Sequence, residues 1–379
     1  MTTRVLITGG AGFLGSHLAQ RLLRAGYRVR ILDCLDPQVH PRGVPAHLPN
    51  DAELQIGSVL DREAVRRALR GIDTVVHFAA VVGVGQSLYQ IARYNQTNLQ
   101  GTAELLEGLL ERQRRSGSGL ARLLVAGSMS VYGEGRYGCP SCRSECEVGR
   151  RPAAQLHRQQ WDMRCPACGN VLEPRPTGET KTLQFGSIYA LSKYTQEEMC
   201  HVFGRTYAVP TVALRFFNAY GPHQALSNPY TGVAAVFANE LLAGRAPQVY
   251  EDGCQLRDLV SVHDVTAACQ LAMERAGAGG GTFNIASGEV LSIAQLARTL
   301  AAALGVAIEP NITGKYRLGD ARHCIADISA ARARLGYRPQ VSLAHGMREL
   351  GAWLTQQHAR RGPCQTHAQA ELRAYGLTG

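Results

Sequence analysis

The chain has 379 residues, of which 45% are hydrophobic, and a formal net charge of +10. That length and apolar content suffice for a large core shared between two lobes. The positive balance suits a small anionic substrate, yet the arginines are dispersed and no basic run is interleaved with aromatics, which argues against nucleic acid as a partner.

Targeting and redox signals are sparse. The sequence enters Val5-Leu6-Ile7-Thr8 almost at once, without the charged lead and apolar core of a signal peptide, and no 18 apolar residues run together. A cytoplasmic protein with no membrane partner is expected. The 11 cysteines are read as reduced thiols, because the seven outside two Cys-x-x-Cys pairs are mostly isolated in a long chain.

In chain order, an apolar strand, Arg4 to Thr8, runs into Gly9-Gly10-Ala11-Gly12-Phe13-Leu14-Gly15 and an amphipathic helix through Arg24. Glycines at 9, 12 and 15 let the backbone turn tightly and approach a pyrophosphate, while the helix amino terminus offers free N–H groups. A second strand, Tyr27 to Leu32, ends at Asp33. An acid about 20 positions past such a loop binds the adenosine ribose and repels a 2′-phosphate, which favours NAD over NADP. The alternation continues with a strand Glu53–Ile56, a helix Asp61–Leu69, a strand Thr74–Phe78, a helix Asn98–Arg114 and a strand Leu123–Ala126. This is the βαβ pattern of an α/β fold, a Rossmann-type doubly wound parallel sheet. Its strand ends at Ser58-Val59, Phe78-Ala79-Ala80 and Ser128 should open onto the cofactor crevice, with His77 a structural residue at a strand end.

Between residues 135 and 180 the pattern breaks. Cys139-Pro140-Ser141-Cys142 is followed, after about twenty polar residues, by Cys165-Pro166-Ala167-Cys168. Paired knuckles of this spacing match a structural zinc site of four thiolates, with Cys146 or His157 as substitute ligands and redox pairs or free thiols as the competing readings. Such a closed site would stabilise a flap over the pocket without doing chemistry, packed on the body through Trp161 and the Pro174-Arg175-Pro176 exit.

The next stretch, Ser187 to Lys193, carries Tyr-x-x-x-Lys. On a helix, residues four apart share a face, so the Lys193 ammonium, together with the positive ring of an oxidised nicotinamide, would favour the Tyr189 phenolate and make it a candidate general base. Beyond residue 221 come helices at Gly232–Ala243, His263–Ala276, Ile293–Leu304 and Leu343–Gln356, strands at Gln248–Tyr250 and Thr282–Ile285, and a flexible loop at Gly277–Gly281. The expected organisation is a Rossmann domain over 1–134 and 181–221, the zinc insertion over 135–180, a mainly substrate-binding lobe over 222–358 and a polar tail over 359–379.

Gly9/Gly12/Gly15, Asp33, Asn98 in Asn-x-x-Gly-Thr, Ser128 before Val131-Tyr132-Gly133, Tyr189-x-x-x-Lys193, and Arg215-Phe216-Phe217-Asn218 with Tyr220-Gly221-Pro222 together resemble the extended short-chain dehydrogenase/reductase family that acts on nucleotide sugars. The resemblance runs from residue 3 to about 355, broken by the insertion. It implies a Ser128, Tyr189, Lys193 triad, with Asn98 holding a helix and a water chain behind the lysine. It also implies that Asn218, Arg257 and Arg322 contact the nucleotide diphosphate, and that the protein is a homodimer through a helix bundle including the Tyr189 helix. Dehydratases and decarboxylases of the family carry carboxylates where this chain has Met129 and Ser130, which leaves epimerisation at C4 of the sugar. Asp36-Pro37-Gln38-Val39-His40 and the double-knuckle insertion are similar to the bacterial subgroup acting on dTDP-L-rhamnose. Cys324 would then leave the sugar pocket permissive, and Val81, Val82 and Val84 would give it an apolar wall. A UDP-hexose 4-epimerase, a reductase of the same family, and a binding protein that uses the insertion to hold a partner are the alternatives.

Overall fold

The computed structural model of the chain describes residues 2–117, 119–225, 232–361 and 374–375. Seven short apolar segments form one parallel sheet: β1 (Arg4–Thr8), β2 (Arg28–Asp33), β3 (Glu53–Ile56), β4 (Thr74–His77), β5 (Arg122–Ser128), β6 (Thr211–Phe216) and β7 (Thr282–Ile285). Their order is β7-β6-β5-β4-β1-β2-β3. Strands β4, β5 and β6 are buried at every residue, as strands covered on both faces must be. The strand order reverses between β1 and β4, and a crevice opens at their carboxyl ends.

Helices follow in chain order: α1 (Phe13–Arg24), α2 (Arg62–Ala68), α3 (Gly101–Ser116), α4 (Ile188–Thr206), α5 (Val233–Leu242), α6 (Val262–Glu274), α7 (Ile293–Leu304) and α8 (Leu343–Arg361). Leu18 and Leu22 of α1 and Val265 and Ala272 of α6 cover one face of the sheet. Val65 of α2, Leu105 and Leu109 of α3 and Phe203 of α4 cover the other. The sheet is thus completed by residues from the range expected to be mainly the second lobe, because α6 and β7 return to it. The remaining second-lobe core joins α5, α7 and α8 through Phe237, Leu241, Leu296, Leu300, Met347 and Leu350.

Three local expectations change. The helix expected from Asn98 begins as a widened π-type turn over Asn95–Gln100 before α3, because the Asn98 side chain is engaged outside the helix, accepting from Val81 N at 2.8 Å. The flexible loop expected at Gly277–Gly281 is tied down: Ala278 is fully buried and Gly280 N donates to Thr211 O at 2.7 Å. The polar tail expected over 359–379 lies outside the described residues, apart from the helix end at Arg361 and residues 374–375. Among the described residues no helix is long and apolar enough to cross a membrane, and the described cysteines are all free of disulfides.

The insertion is a three-stranded antiparallel sheet, Arg136–Cys139 between Ser144–Cys146 and Glu173–Arg175, over a small core of Tyr137, Val148, Met163 and Leu172. It leans on the second lobe through Trp161, whose ring centroid is 6.3 Å from that of Tyr316. His157 reaches the Tyr316 hydroxyl at 3.0 Å.

Histidines are unusually buried in this fold. Burial holds His17, His47 and His323 down to about 4 and His77 to about 3. Between about pH 4 and 6.5 these groups are therefore largely neutral in the folded chain while an unfolded histidine, near 6.5, binds a proton. Stability from these groups is complete above about pH 6.5 and is lost as pH falls toward 4, since the unfolded state then binds more protons. Urea midpoints measured from pH 7.5 down to 4.5 should fall steadily below 6.5, and His47→Phe should flatten that slope.

Candidate active site

The glycine loop is built for close backbone approach. Gly9 has φ +68°, and a Cβ there would lie 2.8 Å from Ala79 N; a Cβ on Gly15 would lie 2.6 Å from Gly10 Cα and Gly9 O. Gly12 is different, since a Cβ there meets only Gly9 O at 3.3 Å and its other side faces the cavity. Asp33, at the end of β2, accepts from Ala11 N at 3.0 Å and from Leu35 N at 2.9 Å, which fixes its carboxylate at the rim. The cavity, about 430 Å³, is lined by Gly9, Gly12, Phe13, Leu14, Gly15, Asp33, Ser58, Val59, Phe78, Ala79, Ala80, Val82, Ser128, Tyr189 and Lys193. All of the expected cofactor-contacting residues therefore meet in one place. Its shape and donor set fit a dinucleotide: glycine backbone at a helix amino terminus for the pyrophosphate, a carboxylate one strand away for a ribose diol.

Helix α4 is capped by Ser187, whose hydroxyl accepts from Ala190 N, and this sets Tyr189 in the first turn and Lys193 one turn later. Ser128 ends β5. Its Oγ accepts from the Ser130 hydroxyl at 2.9 Å, and its side chain faces the Tyr189 phenol closely enough to favour the phenolate. Burial raises the Tyr189 phenol above its ordinary value, with the Ser128 hydrogen bond working the other way. The depressed phenol expected from Lys193 and an oxidised nicotinamide together is not present in the chain by itself, where burial dominates. The same burial pulls Lys193 down to about 8. Lys193 Nζ donates to Gln196 Oε1 at 2.7 Å. Asn98 bridges elements: its amide donates to Val81 O at 3.2 Å and Ser192 Oγ at 2.9 Å, and Ser192 in turn donates to Tyr189 O at 2.9 Å.

Several expected substrate contacts are placed elsewhere. Arg322 is 2% exposed and locked in ion pairs, with Asp252 at 2.6 and 2.7 Å, Asp162 at 2.9 Å and Glu251 at 3.1 Å, so it is not free for a diphosphate. Cys324 is fully buried in a short strand beside Leu256–Ser261, and burial drives its thiol up to about 12; it does not line the cavity. The Arg257 guanidinium donates to the carbonyls of Leu256, Ala321 and Arg322 at 2.7–3.1 Å. Asn218 lies between cavity-lining Phe217 and Ala219, and its Oδ1 has no partner among the described residues.

Other groups were missed. Gln224 and Arg93 line the cavity, and Gln224 Oε1 has no partner among the described residues. Arg317 is not part of the cavity lining; it sits 4.9 Å over the Tyr250 ring with its Nε unpartnered among the described residues, in a turn whose Gly319 O approaches Gly186 just before α4. The Arg317-Leu318-Gly319-Asp320 stretch was visible in the sequence, but nothing in it says that the guanidinium two turns later is the one locked away. Gln196 could have been found from its i, i+3 spacing to Lys193.

In the insertion, Cys139, Cys142, Cys165 and Cys168 place their Sγ atoms within 4.8 Å of one another. Cys139 and Cys168 are 3.5 Å apart and Cys142 and Cys165 3.9 Å, against about 3.8 Å for the edge of a tetrahedron with 2.3 Å metal–sulfur bonds. Knuckle N–H groups favour individual thiolates: Cys142 N donates to Cys139 Sγ at 3.3 Å, and backbone donors from Cys168 and Ala167 lower the Cys165 thiol to about 6, while the neighbouring sulfurs, with no cation among them, push Cys142 up to about 12. His157 is excluded from this cluster by its bond to Tyr316, and Cys146 lies beside the four without joining them.

A glycine-cradled doubly wound sheet with a serine, tyrosine and lysine at its carboxyl edge defines a dinucleotide-dependent enzyme of the short-chain dehydrogenase/reductase type. The profile of the NAD dependent epimerase/dehydratase family matches residues 5–152 and 166–286, and the chain belongs to that family. The chain is 35% identical over 365 residues to a dTDP-L-rhamnose 4-epimerase from Burkholderia thailandensis, covering 94% of this chain and 96% of that one. Among solved structures, it is similar to UDP-glucose 4-epimerase with UDP-glucose from Thermotoga maritima, at TM-score 0.76 and 29% identity, covering 94% and 99% of the two chains. It is also similar to UDP-glucuronic acid 4-epimerase from Bacillus cereus in complex with UDP-glucuronic acid and NAD, at TM-score 0.75 and 25% identity, covering 94% and 100%.

The placement of the two arginines is directly testable. Arg322→Met should lower the unfolding free energy by about 2–3 kcal/mol, because Asp162 and Asp252 lose a charge-assisted partner and Glu251 keeps only Arg151. Arg317→Met should cost about 1 kcal/mol or less. Denaturant titration of both variants checks this, and equal losses would contradict the assignment of Arg322 as structural.

Proposed function

We propose that the protein is an NAD-dependent nucleotide-sugar 4-epimerase, and that its substrate is dTDP-L-rhamnose, converted to dTDP-6-deoxy-L-talose. The observation that carries the first part is the convergence of Ser128, Tyr189 and Lys193 with the glycine loop and Asp33 on one cavity, with Met129 and Ser130 following Ser128 in place of carboxylates. Family membership and the epimerase relatives support it. The substrate rests on the 35% identity to the rhamnose epimerase and on the apolar rim at Val82, and a UDP-hexose is the competing substrate.

In this reading Ser128 and Ser130 hold the C4 hydroxyl, and Tyr189 takes its proton. The Lys193 ammonium, one turn along α4, stabilises the resulting phenolate. Bound in the glycine cradle, NAD supplies the hydride acceptor at C4 and then the donor to the other face of the 4-keto sugar. Tyr189 returns the proton, so there is no net redox change. Gln224 and Arg317 are the proposed groups for the nucleotide diphosphate, in place of Arg322; a planar guanidinium suits phosphate oxygens. Four thiolates hold a structural zinc, which closes the insertion and leaves no coordination position for substrate. We place the enzyme in the cytoplasm as a homodimer, for which Leu191 and Val202, both exposed on α4, supply apolar surface.

Turnover with dTDP-L-rhamnose should exceed that with UDP-glucose or UDP-N-acetylglucosamine in kcat/KM, with deuterium at C4 retained and none gained from heavy water at C3 or C5. Solvent label at C3 or C5 would reveal enolisation and end the 4-epimerase reading, whereas preference for a UDP sugar would change only the substrate. Tyr189→Phe should lose about 10²- to 10⁴-fold in kcat while retaining NAD. Elemental analysis should find about one zinc per chain, and Cys142→Ser should lower Tm, because metal binding in such sites is folding energy. Metal-free protein of unchanged Tm would refute the structural role.

A further inference from the structure

Behind Lys193 lies a polar network that the reaction above does not use. Thr8, His77, Asn98, Thr102 and Gln196 are each 1% exposed or less. We infer that Gln196 is the positioning residue for Lys193, held in one orientation by a chain of hydrogen bonds that runs across the sheet to Thr8 in β1. Its catalytic meaning rests on the epimerase reading; its geometry does not.

The proton directions in this chain follow from chemistry. Thr102 Oγ1 lies 2.6 Å from the carbonyl of Asn98, which can only accept, so the hydroxyl proton points there. The Thr102 oxygen must then accept from its other neighbours, Gln196 Nε2 at 3.0 Å and His77 Nε2 at 2.9 Å. His77 therefore carries its proton on Nε2, and its Nδ1 accepts from the Thr8 hydroxyl at 2.7 Å. Thr8 Oγ1 closes the chain by accepting from Ala79 N at 3.2 Å. Gln196 Nε2 gives one hydrogen to Thr102 and directs the other to Ala79 O at 3.4 Å, its 3.3 Å approach to His77 Nε2 being a contact between two donors, and its Oε1 faces the Lys193 ammonium at 2.7 Å. Reversing the amide would put an NH2 group against the ammonium and an oxygen against Thr102, whose proton is already engaged. Asn98 does not substitute, because its amide hydrogens, on Val81 O and Ser192 Oγ, leave its Oδ1 turned to Val81 N at 2.8 Å.

A neutral acceptor has a specific advantage here. Burial favours the uncharged amine, and an oxygen at 2.7 Å holds the charge in place. A carboxylate would hold it more strongly but would cancel the positive field that Lys193 exerts on Tyr189. The other titratable groups facing Lys193 are His77 from β4, and Tyr189, Glu197 and Cys200 from its own helix; Glu197 is paired with Arg215 at 2.6 Å.

The chain contains three lysines, Lys181, Lys193 and Lys315, so protein labelled with carbon-13 at lysine Cε gives three resonances, assignable with Lys315→Arg and Lys193→Met. Gln196→Leu should lower the Lys193 titration midpoint by about 1–2 pH units, the worth of one charge-assisted hydrogen bond, and Gln196→Glu should raise it. The alkaline limb of kcat should move in the same directions, while the Gln196→Glu plateau falls. Loss of packing alone would shift both variants the same way. An unchanged Lys193 midpoint in folded Gln196→Leu, or a lowered one in the isosteric Gln196→Glu if the leucine variant does not fold, overturns the inference. Midpoints that move as expected in a protein that turns over no nucleotide sugar would overturn the epimerase reading and leave the Lys193–Gln196 assignment standing.

Discussion

A lysine ammonium held 3% exposed on a helix packed against an open parallel sheet constrains everything around it. Removing that charge from water is costly unless hydrogen bonds replace the lost hydration. The acceptor comes from the same helix, one turn on, and it is kept in orientation by groups from α3, β4 and β1. Four elements that need only pack for the sheet to form are thereby tied to one point of polar geometry. The π-type turn at Asn95–Gln100 belongs to the same arrangement, since it lets Asn98 reach Val81 and Ser192 while its carbonyl takes the Thr102 proton.

The second constraint is charge buried between the insertion and the second lobe. Arg151, from the insertion, makes a bidentate pair with Glu251 at 2.8 Å and donates to Asp320 O at 3.0 Å. Arg322 answers from the other side, reaching Asp162 of the insertion, while its backbone N–H donates to Glu134 at 2.8 Å. Such a cluster adds little net stability relative to apolar packing, but it tolerates no missing partner. Its effect is to fix the insertion against the turn that carries Arg317. A flap joined to the body only through exposed polar residues would move independently of that turn.

Much was legible in the sequence because it follows from local rules. Glycines at 9, 12 and 15 between a strand and a helix, an acid closing the next strand, and apolar runs too short for helices imply a parallel sheet with a dinucleotide crevice whatever lies elsewhere. Cys-Pro-x-Cys twice is a local knuckle, and the four sulfurs came together as the spacing implied. Tyr189 and Lys193 could be proposed from their i, i+4 spacing along one helix and Ser128 from the family resemblance, and all three line one cavity.

Other features depend on groups far apart in the chain. Of two nearby arginines, Arg322 is buried by carboxylates from residues 162, 251 and 252, while Arg317 stacks on Tyr250; no pattern within 317–324 distinguishes them. Cys324 is hidden because its strand pairs with Leu256–Ser261. His77 reads as a strand-end residue, and only the meeting of β1, β4, α3 and α4 makes it one link in a proton-ordered chain. Residue type and spacing determined the fold class, the glycine cradle and the side chains proposed for catalysis. Tertiary contacts decided which charges are free, how the lysine is held and what the insertion leans on, because burial and hydrogen-bond partners are set by neighbours in space.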